Sequence, residues 1–242
     1  MEQMVILCVA VLLIAFLYSS VGHAGASGYI AVMTLLGYAP EFIKPTALVL
    51  NILVACLSSW QFWRAGHFQW SLFWPFAVLS IPCAFLGGYM NLPVHFFRIL
   101  VGIVLLYSAF RFLVRPKPDG DSHSPSRAIV IPVGAGLGLL SGLTGTGGGI
   151  FLTPLMIFMR WARTKTASAA SAVFILVNSI AGLLGNFTGT QTLPSFALLL
   201  VASVVVGGAV GSYYGSSKFS TAVIKRMLAV VLTIAGLKLI LA

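Results

Sequence analysis

Long apolar runs alternate with short polar breaks along the whole chain, and several runs exceed the roughly 20 residues a helix needs to cross a bilayer. Residues 5–40 and 166–217 must each hold more than one crossing. The pattern resolves into two series of four elements. The first series is A (4–39), B (46–63), C (70–90) and D (96–114); the second is A′ (128–160), B′ (166–187), C′ (195–216) and D′ (221–241). Residues 115–127 carry prolines, a glycine and charges that cannot enter hydrocarbon, so they read as a polar linker. The expected organisation is a first membrane repeat over 1–114, a linker over 115–127 and a second membrane repeat over 128–242.

A and A′ are interrupted at corresponding places. Ser20-Val21-Gly22-His23-Ala24-Gly25-Ala26-Ser27-Gly28 breaks the first, and Ser141-Gly142-Leu143-Thr144-Gly145-Thr146-Gly147-Gly148-Gly149 breaks the second. A continuous transmembrane helix needs neither glycines nor hydroxyls there. Backbone groups freed at membrane depth survive only when buried in protein or lining a wet cavity, so matched breaks in two halves point to a transport site. The halves also match locally. Lys44-Pro45-Thr46-Ala47 parallels Lys165-Thr166-Ala167, Gly87-Gly88-Tyr89 parallels Gly211-Ser212-Tyr213, and Arg98-Ile99-Leu100 parallels Arg226-Met227-Leu228. The chain is an internal duplication.

Composition narrows the class. With 59% hydrophobic and 7% charged residues and a mean hydropathy of +1.04, this is an all-α polytopic membrane protein. The first residues, Met1 to Met4, lack the positive segment of a cleavable signal, so the first apolar run is expected to stay. A net charge of +10 could suggest nucleic acid, but the basic residues mark the ends of apolar runs and no nucleic-acid partner is expected. Cys8, Cys56 and Cys83 lie inside apolar runs without metal-ligand or paired spacing, and no metal or cofactor is implied. Gly207, Gly211 and Gly215 allow close approach of C′ to a neighbouring helix; such faces suit packing within the chain as readily as a homodimer.

The basic residues also set topology. If A and A′ each enter and leave on one side, as hairpins with tips at the glycines, eleven basic residues face the cytoplasm: Arg64, Arg111, Arg115, Lys117, Arg127, Arg160, Arg163, Lys165, Lys218, Lys225 and Arg226. Three remain outside: Lys44, Arg98 and Lys238. Treating A and A′ as single crossings leaves no bias. The positive-inside rule therefore favours hairpins, a cytoplasmic linker and two halves inserted upside down relative to each other. Trp60, Trp63, Trp70 and Trp74 flank Arg64 and His67 as an interfacial aromatic belt does.

The expected chemistry is anion binding. Helices that begin inside the protein, at Ser27-Gly28-Tyr29 and at Gly148-Gly149-Ile150, offer unpaired N–H groups and the positive ends of their dipoles. The acids, Glu2, Glu41, Asp119 and Asp121, all sit at ends or in loops, so no embedded carboxylate is available for a cation or a proton relay. Candidate substrate contacts are Ser20, His23, Gly25, Ser27, Gly28, Thr144, Thr146, Gly147, Gly148 and Gly149, with Asn51 and Asn178 facing the same cavity. An intramembrane asparagine also serves as interhelical glue, and small residues also serve merely to permit a bend. His23 is the one ionisable group in either motif, a candidate for anion contact or proton carriage. Lys44 and Lys165 occupy matched positions suited to attracting anions at two mouths, or to marking helix ends.

The glycine-rich breaks, the Lys-Pro-Thr-Ala and Lys-Thr-Ala helix starts and the duplication over nearly the whole chain resemble the TauE/SafE family of membrane permeases. The stretch from Ser141 to Pro154 looks most typical of it, whereas Gly22 to Gly28 departs by replacing glycines and introducing His23. The resemblance implies a permease of the bacterial inner membrane that exports sulfite or an organosulfonate without ATP-binding parts.

Two readings from other classes compete. Gly25-Ala26-Ser27-Gly28 fits the short G-x-S-G pattern of intramembrane serine proteases, with His67 or His95 as the required partner. A membrane scaffold would move nothing, but it would not need matched helix breaks. Gly145 to Gly149 lacks the Lys-Ser/Thr of a phosphate loop.

Overall fold

A computed structural model describes residues 2–90, 95–114, 119–188 and 196–241, and every regular element among them is helical. Arg115 and Lys117, and the side chains of His95 and Arg98, lie outside the described residues. The first five helices are α1 (Glu2–Ser19), α2 (Ala26–Leu35), α3 (Pro40–Arg64), α4 (Trp70–Tyr89) and α5 (His95–Val114). The next five are α6 (Arg127–Thr144), α7 (Gly149–Phe158), α8 (Thr164–Thr188), α9 (Phe196–Tyr213, continued by a π-helical turn Tyr214–Lys218) and α10 (Thr221–Leu241). The same order of long, short, long, long, long thus occurs twice.

Six helices among the described residues are long and apolar enough to cross a membrane. The second arms are not: α2 and α7 have 10 residues each, so they reach about 15 Å, roughly half the hydrocarbon thickness. Each arm returns to the level at which the helix before it begins. Gln3 Nε2 donates to the Leu36 carbonyl (2.8 Å), joining the start of α1 to the end of α2. The His123 amide donates to the Arg160 carbonyl (3.0 Å), joining the approach to α6 to the end of α7.

Packing repeats as well. Gly134, Gly138 and Gly142 on α6 face the carbonyls of Phe76, Ser80 and Ala84 on α4, so closely that a Cβ at any of them would collide with the backbone. Gly207 and Gly211 on α9 and Gly215 in the π-turn that continues it do the same against Leu12 and Phe16 on α1 and Ser20 just past its end. The close approach expected of these last three glycines is therefore an intra-chain one. The central pair is α3 with α8, and α5 packs on α10. Large apolar side chains such as Val5, Leu13, Tyr107, Phe110, Leu198 and Leu199 are exposed, as a lipid-facing surface requires.

The linker is held down. Asp119 accepts hydrogen bonds from the Thr164 amide (2.9 Å) and hydroxyl (2.7 Å) at the start of α8, and from Lys225 Nζ (2.7 Å) near the start of α10. At the end of α7, Arg160 closes the helix with a left-handed backbone (φ 54°), where the matching end of α2 has Gly37 (φ 74°). Both ends are built alike, with Trp161 N bonded to the Met156 carbonyl and Tyr38 N to the Met33 carbonyl.

Candidate functional site

Both short helices begin deep in the protein because glycine lets the chain turn there without a Cβ penalty. Gly25 precedes α2 at φ 101° and Gly148 precedes α7 at φ 77°, and neither helix has a side-chain cap of its own at that residue. The two starts meet around Asn51, which stands eleven residues from the beginning and thirteen from the end of α3. Its Oδ1 accepts the Ala26 N–H (3.1 Å), the first amide of α2. Its Nδ2 donates to Ser179 Oγ on α8 (3.0 Å) and reaches the Thr146 carbonyl in the second break (3.5 Å). Gly147 packs directly on the Asn51 amide, on Ile175 and on Ser179. One side chain therefore bridges both breaks.

A second polar chain crosses the halves nearby. His23 Nε2 lies 2.8 Å from Thr153 Oγ1 on α7, and Thr153 Oγ1 donates to Ser171 Oγ on α8 (2.7 Å). His23 also sits against the backbone of Gly149, while Nδ1 makes no well-aligned hydrogen bond among the described residues. Gly22, immediately before it, abuts the backbone carbonyl of Ser168. Ser168, Ser171, Ile175 and Ser179, at steps of three and four, thus form one face of α8 that runs along both breaks.

The remaining candidates divide. Thr144 and Thr146 share a hydrogen bond between their hydroxyls (2.8 Å), and Thr144 also bonds the Leu140 carbonyl. Ser27 Oγ pairs with the Tyr18 hydroxyl (2.9 Å), which points on to the Val231 carbonyl of α10, and Tyr29 staples the turn by donating to the Ala24 carbonyl (2.7 Å). Ser20 donates to its own helix at Leu17 and touches Met227 Sδ. Gly28 packs on Ile14. Asn178, the buried asparagine in the middle of α8, accepts from Ser80 of α4 (3.0 Å) through Oδ1 and leaves Nδ2 without a partner among the described residues. All of Ser20, His23, Ser27, Asn51, Thr146 and Asn178 are buried. Ser20, Ser27 and Gly28 therefore have partners other than Asn51, Thr146 and Gly147.

The two lysines lie at helix ends. Lys165 Nζ donates to the Ser216 carbonyl (3.1 Å) in the π-turn after α9, and Lys44 Nζ is 3.5 Å from the Gly88 carbonyl near the end of α4, its stem against Gly145. Cations at helix C-termini are stabilised by the unpaired carbonyls. His67 Nε2 shares the Ser216 carbonyl (3.1 Å); burial first, and then the Lys165 charge, push its pKa down, against that hydrogen bond. Neither serine-protease geometry nor a metal cluster is present among the described residues: Ser27 faces a tyrosine, and no three potential ligands gather. Thr153, Ser171, Ser179, Tyr18 and Tyr29 were not candidates from sequence. The polar stripe on α8 was readable as serines at helical spacing in an apolar run, whereas the tyrosines carried no such signal.

A polytopic helical bundle, two half-length helices starting at its centre and a buried polar junction between them define a membrane transporter. The chain belongs to the Sulfite exporter TauE/SafE family, whose profile matches residues 7–239. Among similar proteins, the probable membrane transporter protein y4hK of Sinorhizobium fredii is 37% identical over 97% of this chain and 97% of its own length. Probable membrane transporter protein YjnA of Bacillus subtilis is 28% identical over 95% of this chain and 96% of its own length, and YunE of the same organism 23% identical over 83% and 81%. No solved structure gives a significant match.

Proposed function

We propose that the chain exports a small sulfur-containing oxyanion, such as sulfite or an organosulfonate, across the bacterial inner membrane by alternating access at the junction of the two helix breaks. The observation that carries this is the convergence of the α2 and α7 N-termini on Asn51, in a buried region lined by amides and hydroxyls and containing no carboxylate. Such a junction stabilises negative charge and offers a cation no carboxylate. The family description points to sulfite. The anion leaves the cytoplasm down an inside-negative potential, which supplies about 2.3 kcal/mol per charge per 100 mV.

In this proposal the two halves, 1–114 and 128–242, are inverted repeats that rock against each other, and the 115–127 linker is cytoplasmic. Support comes from the exchanged packing of α4 on α6 and α9 on α1, and from the basic residues Arg111, Arg127, Arg160, Arg163, Lys165, Lys218 and Lys225 near the linker side of the helices. His23 is the candidate proton carrier. Substrate contacts are expected from Thr144, Thr146, Gly147, Gly148, Gly149, Asn51, Asn178 and His23, with Gly25 shaping the turn.

The test is flux from proteoliposomes loaded in turn with sulfite, thiosulfate, an alkyl sulfonate, sulfate, phosphate and chloride, with the potential set by a potassium gradient. Saturable sulfite or sulfonate efflux that rises with an inside-negative potential is the expected result. Efflux of none of the sulfur anions overturns the substrate class.

A further inference from the structure

The C-terminal ends of α5 and α7, the start of α10 and residues 119–122 line a cavity of about 250 Å³ at the end of α7 opposite the helix break. Its lining includes Arg111, Phe112, Asp121, Phe158, Arg160 and Lys225. Lys225 is neutralised by Asp119, whose carboxylate is filled by Lys225 and Thr164. Among the described lining residues that leaves Arg111 and Arg160 against Asp121, an excess of one positive charge, and neither arginine has a salt bridge among the described residues.

Arg160 is also the one described non-glycine residue with positive φ, at a helix end where the other half uses glycine. A guanidinium kept at a backbone position that disfavours any side chain indicates that the side chain has work there. The floor is apolar: Phe112 and Phe158 stack at 4.8 Å and 17°. Phe158, Leu113 and Val114 beside it are exposed, as residues against lipid are. Cations above an apolar floor at the ends of membrane helices match a phosphate attached to acyl chains.

We propose that Arg160 and Arg111 hold a phosphate-type anion in this cavity, and that its source is the headgroup of an anionic phospholipid. This site is separate from the transport junction and does not depend on the transported solute. Asp121 weakens it and Phe158 seats the lipid side.

The experiment compares thermal stability of the full chain in nanodiscs of phosphatidylcholine alone, of phosphatidylcholine with phosphatidylglycerol, and of phosphatidylcholine with added inorganic phosphate. Binding of a short-chain phosphatidylglycerol in detergent, followed by native mass spectrometry, gives affinity. The expected result is stabilisation by phosphatidylglycerol only. Arg160→Gly and Arg111→Gln should weaken lipid binding by about ten-fold or more, the loss of one charge-assisted contact, and Asp121→Asn should tighten it. Arg160→Gly suits the backbone, so its folding is preserved and a lost lipid response is not a lost fold. Stabilisation by inorganic phosphate that the same variants abolish overturns the lipid and assigns a soluble phosphate. Equal responses of wild type and all three variants overturn the site, while sulfite efflux, measured separately, stands or falls on its own.

Discussion

His23 of the first break and Thr153 of α7 lie 2.8 Å apart, 130 residues apart in sequence, and Thr153 passes the contact on to Ser171 of α8. A single imidazole thereby ties the tip of one hairpin to the returning arm of the other. Thr153→Val removes the hydroxyl at nearly constant volume and leaves Nε2 of a buried ring unpaired, which costs about 1–3 kcal/mol. The expected outcome is a lower melting temperature for Thr153→Val and for His23→Ala, with the double variant losing much less than the sum. Additive losses in that cycle would show that the two side chains are not coupled.

Asn51 is predicted to be more sensitive to charge than to shape. Asn51→Leu strands the Ala26 amide and the Ser179 hydroxyl at about 1–3 kcal/mol for each group left unpaired. Asn51→Asp keeps an acceptor for Ala26 and puts a carboxylate at two helix N-termini, where negative charge is favourable. It should therefore still fold, with a lower melting temperature because its second carboxylate oxygen now faces the Thr146 carbonyl that Nδ2 reached, while sulfite flux falls at least about ten-fold, because the new charge competes with the anion. Wild-type flux in a folded Asn51→Asp protein would remove the anion from this junction.

Two glycines with nearly the same φ separate backbone strain from packing. At Gly37 (φ 74°) a Cβ meets nothing within 4 Å, so Gly37→Ala should cost only the left-handed penalty of about 1–2 kcal/mol. At Gly22 (φ 76°) a Cβ runs into the Ser168 backbone, which cannot step aside without moving α8. Gly22→Ala is expected to cost several times as much and to abolish flux even if some protein folds. Fluorescence size-exclusion and melting curves of the two variants, run side by side, check the ordering.

The breaks were legible from sequence because glycine and small hydroxyls are out of place inside an apolar run, and the start of α7 falls at the expected Gly148-Gly149-Ile150, with α2 beginning one residue earlier than expected. The limits of α4, α5 and α10 likewise fall within a residue of those expected, since Pro, Trp and charged residues mark them. The site's wiring was not legible. Tyr18 and Tyr29 look like ordinary apolar-run aromatics until the fold turns their hydroxyls onto Ser27 and the Ala24 carbonyl. Lys44 and Lys165 share a sequence context, but only the antiparallel neighbours supply the Gly88 and Ser216 carbonyls on which they rest. Asp119, one charge among several in a linker, gains its role from contacts 45 and 106 residues away.

Asp119 sets the acid limit of stability. Burial raises the pKa of its carboxyl, but the hydrogen bond from Lys225, the two from Thr164 and the Lys225 charge outweigh this, and the net shift is downward from 3.8. A carboxyl with a lowered folded pKa binds fewer protons folded than unfolded, so its contribution is fully present above the unfolded value and is lost as the pH falls through the folded one. His67, also shifted downward from 6.5, works in the same direction: in the unfolded chain it takes up a proton more readily, so its contribution fades as the pH falls below 6.5. Wild type should therefore lose melting temperature in two stages on acidification. Asp119→Asn lowers the melting temperature at neutral pH and erases the stage below about pH 4, whereas His67→Gln erases only the earlier one. Melting curves across that range in a constant-ionic-strength buffer separate them, and an unchanged acid stage in Asp119→Asn would mean that the linker is not what holds α8 and α10 together.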